Sequence, residues 1–400
     1  MTAYRTFTPE DATSFATDNS HLFNGHSQLS CEEFGDGNLN LVFRVTSEKG
    51  TSLIVKQALP YARCVGESWP LTTDRARIEA EVLLIHGRLC PEHTVEILHY
   101  DPVKAAILME DLKEYQILRQ ALLTGKQYLH LAPQLAKYLA HTLFYTSDFV
   151  LDGPNKKARV AQFINPDLCL ITEDLFFTDP YCNHERNNIH PATLPEAQKL
   201  WYDEALQAEV ASLKADFLSK PQALLHGDVH SGSIFINEEN CKLIDAEFGF
   251  YGPIGFDVGS MLGNLLLNYC AQPGLTPDTA LQNSHCAYLL QQIDVLWNTF
   301  ASIFSRLMQQ ETTDPALQNP LYQQRFIRQI FADAVGYAGT ELIRRTVGLA
   351  HVADLDTIKN TDLQAACEKN ALQLGKILIM QRNELQHTEQ LIALIQQIQP

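Results

Sequence analysis

No stretch of this chain is apolar for long enough to cross a membrane as a helix. The run MLGNLLL, which begins at Met261, is short, carries Asn264 inside it and meets Asn268 just after. The opening MTAYRTFTPEDATSF lacks the apolar core of a secretory signal. None of the nine cysteines forms a Cys-x-x-Cys pair. That argues against a zinc ribbon or a redox dithiol and favours free thiols in a reducing cytoplasm. Basic residues are in the minority, 30 against 47 acidic, for a formal net charge of −17. A basic stripe for nucleic acid is therefore not expected. The same field repels any polyanionic ligand, which would have to be met by local cations or a divalent metal. A Gly-x-Gly-x-x-Gly loop is also missing, as are internal repeats and low-complexity linkers.

A chain of 400 residues exceeds what one core usually serves, so two lobes are expected. The chemistry concentrates in residues 224–259, LLHGDVHSGSIFINEENCKLIDAEFGFYGPIGFDVG. Asp228 sits in a polar turn. Two short apolar strands follow, over 233–237 and 241–244. Asp245 and Glu247 stand at the end of the second, with Ala246 between them, and glycines break what comes after. Three carboxylates at strand ends in a Gly-rich setting suggest a divalent-metal and phosphoryl-transfer site, because hard oxygens hold Mg²⁺ and the remaining acid can position a hydroxyl.

Earlier in the chain, Thr8-Pro9-Glu10-Asp11 reads as a helix start. Strands over 27–34 and 41–46 flank a turn of glycines and asparagines, Gly35 to Asn40. A strand over 52–55 ends in Lys56, at the distance from that hairpin at which a lysine pairs nucleotide phosphates. Residues 66–70, with Trp69 and Pro70, read as a loop, and Pro70 with Thr73-Asp74 as the cap of a helix carrying Ile78, Val82, Ile85 and Leu89. Glu79 or Glu81 of that helix can reach Lys56, but not both, since they point about 200° apart; the distance to Pro91 favours Glu81. Strands are expected over 95–100 and 105–109, with Glu110, Asp111 and Leu112 following the second. Helices are expected over 115–123 and 129–144, an irregular insertion over 148–195, and helices over 194–218, 255–272, 279–310, 321–350 and 360–398. Cys182-Asn183-His184-Glu185 reads as a polar loop rather than a metal site. Arg344 and Arg345, inside a helical pattern, read by composition alone as a solvated helix face.

The order HGD, two strands, then a strand-ending Asp resembles the catalytic and metal-binding loops of the aminoglycoside-phosphotransferase-like kinases. SGSIF, AEFGFYGPIGFD, VKQALPYARCVGESWPLTTDRARIEAE and RRTVGLAHVADL resemble the methylthioribose kinase branch. The resemblance implies an α+β, two-lobed protein-kinase-like fold. Residues 1–112 would form an antiparallel-sheet nucleotide lobe, and 113–400 a mainly helical lobe with the catalytic loop, metal motif and sugar site. It implies ATP as phosphoryl donor, bound by Asn40, Lys56, Glu110, Asp111, Leu112, Asp245, Ala246 and Glu247. Mg²⁺ would sit on Asp245 and Glu247. Asp228 would be the catalytic residue, and Trp69, Arg344 and Arg345 would join it on the sugar, 5-methylthioribose, in methionine salvage. A cytoplasmic homodimer is also implied. Two departures from the wider kinase pattern stand out. Ser233 replaces a metal-binding Asn, and Asp-Ala-Glu replaces Asp-Phe-Gly; Glu247 is expected to supply the oxygen the Asn would have given. A kinase for an aminoglycoside, choline or another sugar, and an inactive nucleotide-binding module, remain as alternatives.

Overall fold

A computed structural model describes residues 4–25, 28–34, 39–62 and 66–398. Ser27 and turn residues 35–38 of the expected hairpin lie outside them. The first helix, α1 (Pro9–Asp18), starts where Thr8 and Asp11 close a capping box, each side chain bonded to the other's backbone N–H. Strands β1 (Leu29–Phe34), β2 (Asn40–Ser47) and β3 (Ser52–Ala58) then run as an antiparallel meander.

The period of two along these strands decides where the chemistry faces. Leu41, Phe43, Val45, Leu53 and Val55 pack on one side with Phe15 of α1. Asn40 and Lys56 have the opposite parity. They therefore share the other face, which is covered by the next helix.

Of the cap expected for that helix, Asp74 is the N-cap and Pro70 is not part of it. Residues Gly66–Pro70, expected as a loop, form strand β5 against β4 (Tyr61–Ala62), with Tyr61 opposite Pro70. Pro fits because the two-stranded ribbon leaves its missing donor outside any ladder. Helix α2 (Arg75–Leu89) starts behind Asp74. Strands β6 (Ile97–Asp101) and β7 (Ala106–Glu110) complete a five-stranded sheet of order β1-β2-β3-β7-β6.

After Leu112 the chain turns mainly helical. The expected helix over 115–123 splits into β8 (Gln116–Ile117) and α3 (Leu118–Leu123), because Gln116 and Ile117 pair with a later strand. Helix α4 spans Leu131–Tyr145. The segment expected to be irregular is instead built on α5 (Gly153–Gln162) and α6 (Pro166–Phe177). Pro154 and Pro166 lie in their first turns, where a missing N–H costs nothing. Cys182 lies in the loop beyond, its thiol on the carbonyls of Thr178 and Asp179. The expected long helix over 194–218 is two, α7 (Leu194–Trp201) and α8 (Glu204–Ser219). They divide where Asp203 caps the second by accepting from the Leu206 N–H at 3.0 Å.

The stretch rich in carboxylates carries β9 (Ala223–Leu224), β10 (Ile234–Ile236), β11 (Cys241–Leu243) and β12 (Tyr251–Gly252). β10 pairs with β11 and β8, and β12 pairs with β9. Helix α9 (Ile254–Leu275) is buried from Ile254 to Gln272 and forms the axis of the helical region. Around it pack α10 (Thr279–Glu311), α11 (Pro320–Val347), the short α12 (Ala353–Asp356) and α13 (Thr361–Gln381). The last, α14 (Thr388–Gln397), is separate from α13, so 360–398 is not one helix. Glycines let α9 and α11 touch. A Cβ at Gly259 would lie 2.4 Å from the Ala334 carbonyl, and one at Gly263 2.7 Å from Glu341 Cβ. Among the described residues, no helix is long and apolar enough to cross a membrane.

Candidate active site

The turn that carries Asp228 is fixed from α9. Asp257 is buried in the first turn of that helix, and its two oxygens accept the N–H groups of His226 at 2.7 Å and Gly227 at 3.0 Å. Burial raises its carboxyl to about 7, against the pull of those two bonds. Gly227 has φ +82°, and a Cβ there would meet the Phe248 carbonyl oxygen at 2.2 Å, so only glycine passes. His226 Nδ1 accepts the Asp228 N–H at 3.3 Å, which leaves its Nε2 proton for the Ile244 carbonyl at 2.9 Å. Burial lowers this imidazole to about 4, so it stays neutral. One neutral ring thus ties the turn holding Asp228 to the residue before Asp245.

A second histidine orients Asp228 itself. His230 Nδ1 accepts from the N–H groups of Gly232 at 2.9 Å and Ser233 at 3.1 Å. The proton is therefore on Nε2, 3.2 Å from Asp228 Oδ2. Ser233 is fully committed to the loop. Its hydroxyl lies 2.9 Å from the carbonyls of both Asp228 and His230 and accepts the His230 N–H at 3.1 Å.

The second group of charges sits beneath the sheet. Lys56 is buried and pairs with Glu79 at 2.8 Å and with Asp245. The partner on α2 is therefore Glu79, not Glu81. Glu79 points inward with Val82, Leu83 and His86, while Glu81 lies on the outer side with Arg77 at 3.1 Å and Gln162 at 2.8 Å. Asp245 has φ +73°, a sparsely populated conformation for a residue with a side chain. Ala246 is buried. Glu247, 4% exposed, accepts on Oε2 from Asn40 Nδ2 at 3.1 Å and Arg75 Nε at 3.1 Å.

Glu79, Asp245 and Glu247 each offer an oxygen, and these lie within 4.8 Å of one another. Burial lifts Glu79 to about 8 despite Lys56, and lifts Glu247 despite Lys56 and Arg75. Burial pushes the Lys56 ammonium down, but Asp245, Glu79 and Glu247 more than reverse it and hold it above its ordinary value. A divalent cation would offset the effect of burial, because a nearby positive charge favours the ionised carboxylates. Convergent oxygens of this kind fit a hard divalent cation such as Mg²⁺.

The late arginines are not a solvated face. Arg344 and Arg345 are 6% and 8% exposed, and Glu341 beneath them is fully buried. Its carboxylate accepts from Arg344 Nε at 2.5 Å, from Arg345 Nε at 3.0 Å and from Asn264 Nδ2 at 3.0 Å. The Arg344 guanidinium also lies 3.6 Å over the Phe176 ring of α6. Both arginines reach the field of Asp228. Burial pushes that carboxyl up, yet His230, Arg345 and Arg344 together hold it well below the usual carboxylate range. The fold thus brings Asp228, Arg344 and Arg345 together across more than a hundred residues of sequence.

Other expected site residues lie apart. Trp69, on β5, lines a cavity of about 430 Å³ with Leu71, Asp167, Ile171, Asp174 and Arg186. Neither Asp228 nor the arginine pair lines that cavity. Glu110 accepts the Glu96 N–H at 2.7 Å and pairs with Lys242, Asp111 holds Arg44 and Ser52 at 2.7 Å each, and Leu112 is buried. This linker is therefore pinned by side chains and in part by its backbone, since the Glu110 N–H donates to the Glu96 carbonyl at 3.0 Å and the Leu112 carbonyl accepts the Tyr115 N–H at 2.9 Å. Sequence reasoning missed Arg75, His230, Asp257 and Glu341. The available signals were charged residues at core positions of a helical pattern, and a His two residues after the Asp.

Residues 30–294 match the model of the phosphotransferase enzyme family. The chain is 54% identical over 399 residues to the methylthioribose kinase of Yersinia enterocolitica, covering 99% of this chain and 100% of that one. It is likewise 54% identical to the methylthioribose kinase of Pectobacterium carotovorum, over 99% of both. Among solved structures, choline kinase from Cryptosporidium parvum aligns over 98% of this chain and 99% of its own, at 13% identity and a TM-score of 0.47. That likeness is too distant to add to the family match.

Proposed function

The chain belongs to the phosphotransferase enzyme family and, within it, to the methylthioribose kinases, and from that premise we propose that it transfers the γ-phosphoryl group of ATP to the 1-hydroxyl of 5-methylthioribose. The observation that carries this reading is the His226 bridge. It joins the turn of Asp228, which faces the buried arginines, to the strand end of Asp245, which faces Lys56. An acceptor site and a phosphate site are thereby held as one hydrogen-bonded unit.

In the proposed reaction the sugar oxygen attacks the γ-phosphorus, the bond to the ADP oxygen breaks, and the hydroxyl proton passes to Asp228. The depressed carboxyl is a weak base. It suits a loose transition state in which the acid mainly orients the hydroxyl and takes its proton late. His230 occupies the second oxygen of Asp228 and so fixes which oxygen meets the sugar. Lys56 pairs the phosphates. Mg²⁺, held by Asp245 and Glu247, would neutralise phosphate charge. Arg344 and Arg345 are anchored through Nε on Glu341. Among the described residues the terminal nitrogens of Arg344 have no hydrogen-bond partner, whereas Arg345 Nη1 already donates to the Ala350 carbonyl at 3.3 Å.

Residues 1–112 and 113–400 act in this proposal as nucleotide lobe and acceptor lobe. The 110–112 backbone would read the adenine edge and Asn40 the phosphates. A homodimer in the cytoplasm, where ATP is available, completes the reading and is carried by the resemblance alone.

An ATP-consumption assay over methylthioribose, ribose, choline and kanamycin tests it. Methylthioribose should be consumed fastest, and faster turnover of choline or kanamycin would remove the substrate assignment. Buried cations beside the acceptor site argue against those cationic alcohols. Two variants sharpen the test. Arg344→Lys should raise KM for the sugar by about 10–150-fold, the loss of a charged hydrogen bond of ~1.5–3 kcal/mol, with KM for ATP near wild type. Arg345→Lys should do less. Unchanged sugar kinetics in both would make the pair purely structural. Glu247→Gln should shift the Mg²⁺ titration of turnover to higher concentration, and superimposable titrations would remove Glu247 from the metal site.

A further inference from the structure

Arg75 is the first residue of α2 and is wholly buried. Both facts work against it. The N-terminal end of a helix repels a cation, and a buried guanidinium loses its hydration. Its five N–H donors account for its presence, because all of them are used. Nη1 donates to the carbonyls of Leu59 at 2.7 Å and Thr72 at 2.8 Å. Nη2 donates to the Leu39 carbonyl at 2.8 Å and Asn40 Oδ1 at 3.0 Å. Nε donates to Glu247 Oε2 at 3.1 Å.

The last two contacts close a triangle. Asn40 takes one bond from Arg75 and gives one to the same Glu247 oxygen, at 3.1 Å. Both bonds to the Glu247 carboxylate thus fall on Oε2. Among the described residues Oε1 accepts none, and Glu247 belongs to the group whose oxygens converge with those of Glu79 and Asp245. We infer that Arg75 is the positioning residue of the metal centre. By fixing Oε2 it leaves Oε1 for the cation, and it ties that carboxylate to the start of β2, where the phosphate hairpin begins. The inference rests on the reading of Asp245 and Glu247 as divalent-cation ligands. The three carbonyl contacts are a structural clasp in addition, so a loss of stability alone says nothing about positioning.

The discriminating measurement is Mn²⁺ binding to the full chain with a non-hydrolysable ATP analogue, read by electron paramagnetic resonance of free Mn²⁺. Arg75→Lys keeps the charge but only three donors, and should weaken Mn²⁺ about tenfold, as loss of an outer-sphere contact to a metal ligand does. Glu247→Gln should weaken it at least as much. Because Arg75 acts through Glu247, the double variant should bind within about twofold of Glu247→Gln alone. Wild-type Mn²⁺ affinity in Arg75→Lys, or penalties that multiply in the double variant, would overturn the inference. Wild-type affinity in Glu247→Gln would instead overturn the reading of Glu247 as a ligand. Should Arg75→Lys not fold, Arg75→Gln combined with Glu247→Gln leaves no buried charge unpaired and decides the matter. It must bind Mn²⁺ as Glu247→Gln does, and a further tenfold loss would refute positioning through Glu247.

Discussion

Asp228→Asn is expected to lower kcat by about 10²–10⁴-fold, the range for loss of a general base, while leaving ATP affinity nearly intact. The asparagine fits the same space. Its oxygen can accept from His230 Nε2, which then turns the amide nitrogen, a donor that takes no proton, toward the acceptor hydroxyl. The proposed nucleotide contacts lie on Lys56 and beyond the His226 bridge, so the substitution should leave them in place. The pH profile gives a second reading. His230, Arg345 and Arg344 overcome the effect of burial and hold the Asp228 carboxyl below its ordinary range. It therefore remains ionised through the range where an ordinary Asp would protonate. Wild-type kcat should show no acid limb from this group near pH 4, the unperturbed Asp value. Single-turnover rates and ATP titrations of the two proteins check both statements. Near-normal turnover in the variant would take Asp228 out of the mechanism.

Which parts of this site were legible in sequence follows from local geometry. Asp228, Asp245 and Glu247 each stand at a strand end or in a tight turn, and Lys56 lies near the end of β3, which runs two residues further than expected, to Ala58. There, short-range patterns of apolar runs and glycines fix position to a residue or two. The strand parity that puts Asn40 and Lys56 on one face is equally local. Glu79 was not legible because the helix stripe was drawn through Ile78, Val82, Ile85 and Leu89. Ile78 and Val82 are buried as drawn, but the buried face is wider and also takes in Arg75, Glu79, Leu83 and His86. Two charged residues hid it, and the Arg77–Glu81 pair at i, i+4 was the available sign that Glu81 was already engaged. The helices within 148–195 were hidden by prolines taken as breakers, although Pro154 and Pro166 occupy first turns, where proline is favoured. Arg75 and Glu341 could be noticed as charges at core positions of their helices, but their roles depend on contacts between elements distant in sequence, which no local pattern carries.

Glu341→Gln is expected to cost on the order of 3–5 kcal/mol of stability at pH 7, the scale for breaking a buried ion pair from one side. Glu341 is fully buried between α9 and α11, with Gly263 against its Cβ. It is the carboxylate on which both Nε groups of Arg344 and Arg345 rest. Glutamine keeps the size and one acceptor but leaves two adjacent buried guanidinium groups mutually repelling. The arginines should move, so KM for the sugar should rise with them while KM for ATP stays near wild type. The sign of the pH dependence follows from the carboxyl. Burial raises it, but Arg344 and Arg345 outweigh burial, so its folded pKa lies below the ordinary value. A group depressed in the folded state stabilises above its unfolded pKa, near 4.3 for Glu, and loses that contribution as pH falls toward the folded value. The stability gap between wild type and Glu341→Gln should therefore be full at pH 7 and narrow as the pH falls below about 4.3. Urea unfolding of both proteins across that range measures the gap. A gap under about 1 kcal/mol at pH 7, the worth of an exposed pair, would show that the arginines do not depend on Glu341. A gap that did not narrow in acid would show that the ionised carboxylate is not what holds them.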